Sequence, residues 1–86
     1  MDTAGQTERV ELLHQKVKNL RDRQSRADMY VLLKNVTQHQ VKISQEMVEC
    51  RRRQRPTVRY TELVKQGDAM LDECEKLLSF ALLLHG

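Results

Sequence analysis

Residues 47–64 read MVECRRRQRPTVRYTELV. Pro56 is the only proline of the chain, and it follows Arg51, Arg52, Arg53 and Arg55. Proline has no amide hydrogen, and its ring clashes with the preceding helical turn, so a helix arriving through Met47 must stop before it. Cations in that last turn suit the negative end of the helix dipole. Pro56 also fits at or just outside the first turn of a new helix, capped by Thr57 or Arg55. The stretch therefore predicts helix, tight turn, helix.

Upstream of it, Met29, Leu32, Leu33, Val36, Ile43, Met47 and Cys50 recur three and four apart, a helical stripe interrupted at Gln40. Downstream, Leu63, Met70, Leu77 and Leu84 are spaced by seven, and Val64, Leu71 and Leu78 widen that stripe. Gly67, Cys74 and Ala81 form a parallel line of small residues, which would let a neighbouring backbone come close. Close packing is one reason to tolerate Gly67, which costs about 1 kcal/mol of helix propensity relative to Ala. Nearer the N-terminus, Val10, Leu13, Val17 and Leu20 mark a third helical face, with Thr7 as a plausible N-cap. The polar run from Arg21 to Arg26 either breaks the helix, with Ser25 and Asp28 resembling a capping box, or lies within one continuous helix.

The predicted architecture is all-α: an antiparallel helical hairpin with an N-terminal helix or extension. It is a three-helix bundle if the chain closes on itself, and a dimeric four-helix bundle if two hairpins associate. Residues 1–86 form a single small domain, with 1–6 disordered and helices at about 7–22, 25–54 and 57–85. A turn centred on Pro56 pairs Met47 with Val64, Ile43 with Gly67 and Met70, Val36 with Cys74, and Met29 with Leu82. The same register sets Cys50 near Thr61 and Cys74 near Thr37, with sulfurs about 20 Å apart along the bundle, too far for a disulfide.

The 86 residues include no Trp, one Phe and two Tyr. A chain this short buries only about 60% of its unfolded surface, so its own core is marginal and a staple is expected. Two cysteines without a secretory signal argue for a reducing compartment, nucleus or cytoplasm, and against a disulfide scaffold. No apolar run approaches the roughly 20 residues of a membrane span. A partner chain is the remaining staple. Charge is uneven: 13 basic and 7 acidic residues up to Arg59, then 2 basic and 5 acidic from Tyr60 onward. Opposite signs suit intramolecular antiparallel pairing as well as an external partner.

Chemistry-bearing motifs are scarce. The sequence holds no glycine-rich phosphate loop and no Gly-x-Ser-x-Gly elbow. Asp72, Glu73 and Glu75 on one exposed helix have no pocket to raise a carboxyl pKa. Cys74 lies on the packed flank among acidic neighbours, which disfavour its thiolate. His14, His39 and His85 are scattered, His14 and His39 among polar neighbours that predict solvent exposure, and no Cys or His pair has ligand spacing. No enzyme, metal or cofactor is expected. Arg51, Arg52, Arg53 and Arg55 are candidates for nuclear import or an anion contact, although single-strand binders usually interleave aromatics that are absent here.

Leu63, Gly67, Asp68 and Met70 resemble the Leu-x-x-x-Gly-Asp-x-hydrophobic core of BH3 death motifs, over eight residues. Arg59 and Gln66 stand where that family places apolar anchors. The resemblance implies a helix that docks in a partner's groove.

The most informative segment is Leu77 to Leu84, where Leu77, Leu78, Phe80, Ala81, Leu82, Leu83 and Leu84 are apolar nearly all round the helix. One hairpin partner covers a single face, and helices of this kind are buried on several sides. Either the first helix folds over the remainder or another chain does. The expected function is a structural adaptor or assembly subunit that binds coiled-coil proteins and forms a homo-oligomer, with Leu63, Met70, Leu77, Phe80, Leu83 and Leu84 carrying the contact. The layout is similar to that of small helical assembly factors of the synaptonemal complex, kinetochore and vesicle-tethering complexes, a likeness of architecture that no motif carries. The alternatives are a regulatory groove-binding ligand and a nucleic-acid binder using Arg51 to Arg55.

Overall fold

A computed structural model describes residues 3–85 and shows three helices: α1 (Thr3–Lys18), α2 (Arg23–Arg53) and α3 (Val58–His85). Each packs on the other two, and the α2–α3 hairpin has the longest contact. The result is a closed three-helix rod of 48 × 16 × 15 Å. Helix α1 is about half the length of the others, so it covers only the half of the hairpin away from the α2–α3 turn. It begins at Thr3, within the segment expected to be disordered, and Thr7, the expected cap, lies inside it. Residues 1, 2 and 86 lie outside the described residues.

The polar run after α1 does break the helix. Asn19 N–H and Leu20 N–H donate to the Lys16 and Val17 carbonyls at 3.2 and 3.0 Å, tightening the last turn of α1. The cap of α2 is Asp22, one turn before the expected Ser25. Its carboxylate accepts from the Ser25 amide at 2.9 Å and from the Ser25 hydroxyl at 2.7 Å. An ionised carboxylate is a strong acceptor for orphan amides at a helix start, so Asp22 takes the cap and Ser25 becomes its third-position partner. Asp28 instead accepts from Gln24 at 2.9 Å on the exposed face. The Arg26 guanidinium donates to the Leu20 carbonyl at 2.7 Å and fixes the bend.

At the other end, α2 stops at Arg53, and Gln54 adopts the left-handed conformation with φ 56°. The Arg55 amide donates to the Cys50 carbonyl and the Gln54 amide to the Arg51 carbonyl, a Schellman closure that satisfies two orphan carbonyls. The chain then doubles back along α2. Thr57 donates its hydroxyl to Glu46 at 2.7 Å, lies 3.7 Å from the Cys50 sulfur, and caps α3 by accepting from the Tyr60 amide at 3.0 Å. This retrograde step slides α3 relative to the expected register. Ile43 clusters with Leu63 and Val64, not with Gly67 and Met70, and Met29 shares its cluster with Leu78 and Ala81, not with Leu82, while Met47 with Val64 and Val36 with Cys74 fall in common clusters as expected. Cys50 meets Thr57, not Thr61. Cys50 and Cys74 are both free thiols.

The buried stripe of α3 runs Leu63, Val64, Gly67, Leu71, Cys74, Leu78 and Ala81. The heptad line Leu63–Met70–Leu77–Leu84 does not stay inside. Leu63 is buried, Met70 half-buried, Leu77 39% exposed and Leu84 61% exposed. This line starts at the edge of the buried arc, and a drift of about 20° per seven residues carries it outward, whereas Val64, Leu71 and Leu78, nearer the middle of the arc, stay buried. The line of small residues takes its place at the seam.

The core has two apolar clusters. The larger joins Val10, Leu13 and Val17 of α1 to Leu33 and Val36 of α2 and Leu71 and Leu78 of α3. The smaller, near the hairpin turn, holds Ile43, Leu63 and Val64 with Met47 and Tyr60 against it. Burying each such aliphatic side chain contributes about 1.5–3 kcal/mol. Between the clusters lies a polar layer. His39, expected at the surface, is buried, and its Nε2 lies 2.7 Å from the Leu63 carbonyl oxygen. A carbonyl only accepts, so Nε2 carries the proton and donates. On the α1 side, buried Gln6 donates Nε2–H to the Val64 carbonyl and to Asp68 Oδ1, each at 2.9 Å.

Candidate interaction surface

Five apolar side chains near the end of α3 remain on the outside of the closed bundle. Leu77, Phe80, Leu82, Leu83 and Leu84 are exposed, Leu83 by 82% and Phe80 by 60%. The same segment buries Leu78 and Ala81 against α1 and α2. Helix α1 does fold over the segment, yet it covers only one side, because a single neighbour shields a limited arc of a helix that is apolar around its circumference. Leu12 of α1 adds a half-exposed leucine beside Leu78 and Leu82 along the α1–α3 groove.

Of the residues expected to carry the contact, Leu77, Phe80, Leu83 and Leu84 are at the surface, Met70 lies at the edge of the core, and Leu63 is inside. Leu63 is therefore withdrawn from the surface set: it packs against Ile43, and its carbonyl receives His39. Met70 lines a shallow apolar groove between α2 and α3 with Leu32, Val36, Ala69 and Cys74. Leu12 and Leu82 belong with the exposed set and were not singled out from the sequence. Leu82 was visible in the apolar run, whereas Leu12 falls beside the Val10, Leu13, Val17 and Leu20 stripe and was not part of it.

Helix α1 is fastened to α3 by a polar clasp. Arg9 donates Nη2–H to Asp72 at 2.7 Å and to Glu75 Oε1 at 2.6 Å, and Nε–H to Glu75 Oε2 at 3.1 Å. Asp68 stands 3.7 Å from the same guanidinium. The two-pronged bond to Glu75, followed by that to Asp72, holds Arg9 in its charged form. Asp72 and Glu75, assigned no catalytic role from the sequence, thus fasten α1 to α3. Cys74, behind it, is buried. Desolvation first, then Glu73 and Glu75, push its thiol pKa up, so the protonated form prevails. Among the described residues no three His, Cys, Asp or Glu side chains are grouped to hold a metal ion. No helix among them is long and apolar enough to cross a membrane.

The BH3-like residues are engaged within the fold: Leu63 and Gly67 are buried, and Asp68 accepts from Gln6. At the hairpin turn, Arg51, Arg52, Arg53 and Arg55 are all exposed on the overhang left by the retrograde step. Glu49 takes Arg52 and Arg53 at 2.6 and 2.7 Å. Hydrogen bonds from Arg52 and then Arg53 lower the Glu49 pKa to about 2. Arg51 and Arg55 have no carboxylate partner among the described residues.

Fold and surface together define an all-α, three-helix bundle with an apolar end and a basic turn. In comparison with known proteins, the chain matches no protein family, no curated protein and no solved structure.

Proposed function

We propose that this protein is a non-enzymatic assembly subunit that self-associates, and holds coiled-coil partners, through the apolar end of α3. The observation that carries the reading is the group Leu77, Phe80, Leu82, Leu83 and Leu84, exposed together at one end of α3, whereas the exposed valines Val31, Val41, Val48 and Val58 are spread along α2 and the start of α3. Adjacent exposed apolar side chains of this kind mark interaction sites, whereas scattered single ones do not. Short chains with marginal cores gain the stability they lack by covering such a surface with another chain. Sedimentation of the whole chain, with and without Leu83→Glu and Leu84→Glu, tests it: loss of association with retained helicity supports the reading. Its place would be inside the cell, in nucleus or cytoplasm.

A second reading rests on Arg51 and Arg55 at the turn, which have no carboxylate partner among the described residues. They would contact a polyanion or an import receptor. Nucleic-acid binding through them would weaken steeply with salt, with a slope that drops when both are changed to Gln.

A further inference from the structure

We propose that α1 is an exchangeable helix: straightening of residues 19–22 lets it leave its own hairpin and dock in the same groove on a second copy of the chain. The proposal deepens the self-association reading and rests on it. Asn19, Leu20, Arg21 and Asp22 include neither Gly nor Pro, so nothing in the connector forbids helix. Local bonds hold the bend, together with the burial of Leu20 in the core, which the exchange must offset. Asn19 and Leu20 bond back to Lys16 and Val17, Asp22 bonds Ser25, and Arg26 bonds Leu20. A continuous helix replaces these with ordinary backbone bonds and joins α1 to α2 as one rod of about 75 Å.

The orientation is preserved by such an exchange. In the closed chain α1 runs toward the end of the rod where α2 begins and α3 finishes. A straightened α1 projects beyond that end, and a second copy facing it end-on presents its own α1 groove in the matching direction. Gln6 then meets the second copy's Val64 and Asp68, and Arg9 its Asp72 and Glu75, as they do within one chain. Short hinges between a helix and the groove it fills favour this mode of pairing.

The independent observation is where the uncovered leucines lie. Phe80, Leu83 and Leu84 occupy the end of the rod at which the two copies would abut. The exchange covers that surface with its symmetry mate, while the clasp and the α1 core contacts are remade in trans.

Trans-complementation tests this. In Arg9→Glu, α1 is repelled by the acidic groove, and in Asp72→Lys/Glu75→Lys the groove repels α1. A mixture of the two contains one native pairing and one reversed, attractive pairing per dimer. Native mass spectrometry of the full-length variants, refolded separately and together, is expected to show little dimer for either alone and a one-to-one heterodimer for the mixture. Because the readout is a gain on mixing, a poorly folded single variant does not obscure it. A four-residue Gly-Ser insertion after Arg21 should also shift the wild-type chain toward monomer. Failure of the mixture to form heterodimer overturns the exchange. So does an Arg9→Glu chain as dimeric as wild type, which would leave association through the apolar end standing. A wild-type chain that stays monomeric overturns both.

Discussion

The Gln6 amide is stacked over Gly67, so close that a Cβ added there would lie 2.9 Å from Gln6 Oε1 and 3.1 Å from Nε2. The absent side chain is what lets Gln6 reach the Val64 carbonyl from another helix. Glycine costs about 1 kcal/mol of helix propensity relative to Ala, and leaving a buried amide unsatisfied costs about 1–3 kcal/mol. Gly67→Ala should therefore destabilise the bundle by about 1 kcal/mol, although it improves the helix. In a Gln6→Ala background the same change should stabilise by about 1 kcal/mol. Urea unfolding of the four chains reads the coupling, and a coupling near zero would contradict the packing described.

Gln54 carries the positive φ of the α2 cap, a conformation that costs a non-glycine residue about 1–2 kcal/mol. Gln54→Gly should raise stability by about 0.5–1 kcal/mol, part of the relief being offset by the entropy of glycine in the unfolded chain. An unchanged or lower urea midpoint would show that the Schellman closure does not form.

Glu49 is held by two arginines, so its carboxyl should titrate near 2, well below the usual carboxylate range. A depressed folded-state pKa means that the contribution of this cluster is present above the ordinary Glu value. It is lost as pH falls from there through about 2. A carboxyl-carbon NMR titration checks it, and Arg52→Gln should move the midpoint upward. A Glu49 midpoint in the ordinary range would mean that the arginines point elsewhere in solution.

His39 donates from Nε2 to a carbonyl in the polar layer, which fixes its tautomer. His39→Ala leaves a cavity and removes that donor, for a cost of about 2–3 kcal/mol. Long-range nitrogen–proton NMR spectra should show the Nε2–H form in the neutral ring. The Nδ1–H form would contradict the assigned bond.

Much of the fold was legible because it follows from side-chain period and one proline. The three apolar stripes placed three helices, and Pro56 with its arginines placed the turn. What the sequence hid depends on distances between helices. Gln6 and His39 look like surface residues in a linear reading, because nothing local shows that carbonyls of another helix wait for them. The Asp22 cap was missed because Ser25 and Asp28 mimic the same spacing one turn later. The register was displaced because the return of residues 54–57 along α2 depends on Thr57 finding Glu46. For the candidate surface, Leu77, Phe80, Leu83 and Leu84 stood out by being apolar on too many sides. Leu63 was misplaced because its seven-residue line runs along the edge of the buried arc, inside at Leu63 and outside at Leu84.

The central claim is that the leucines at the end of α3 are covered by another copy of the chain. Sedimentation equilibrium of the full-length protein, compared with the Leu83→Glu/Leu84→Glu double variant, tests it most directly. The expected result is a wild-type mass of twice the 10.1 kDa chain and a variant at the single-chain mass with unchanged helical circular dichroism. A wild-type protein that sediments as one chain, or a variant that associates as wild type does, would contradict the claim.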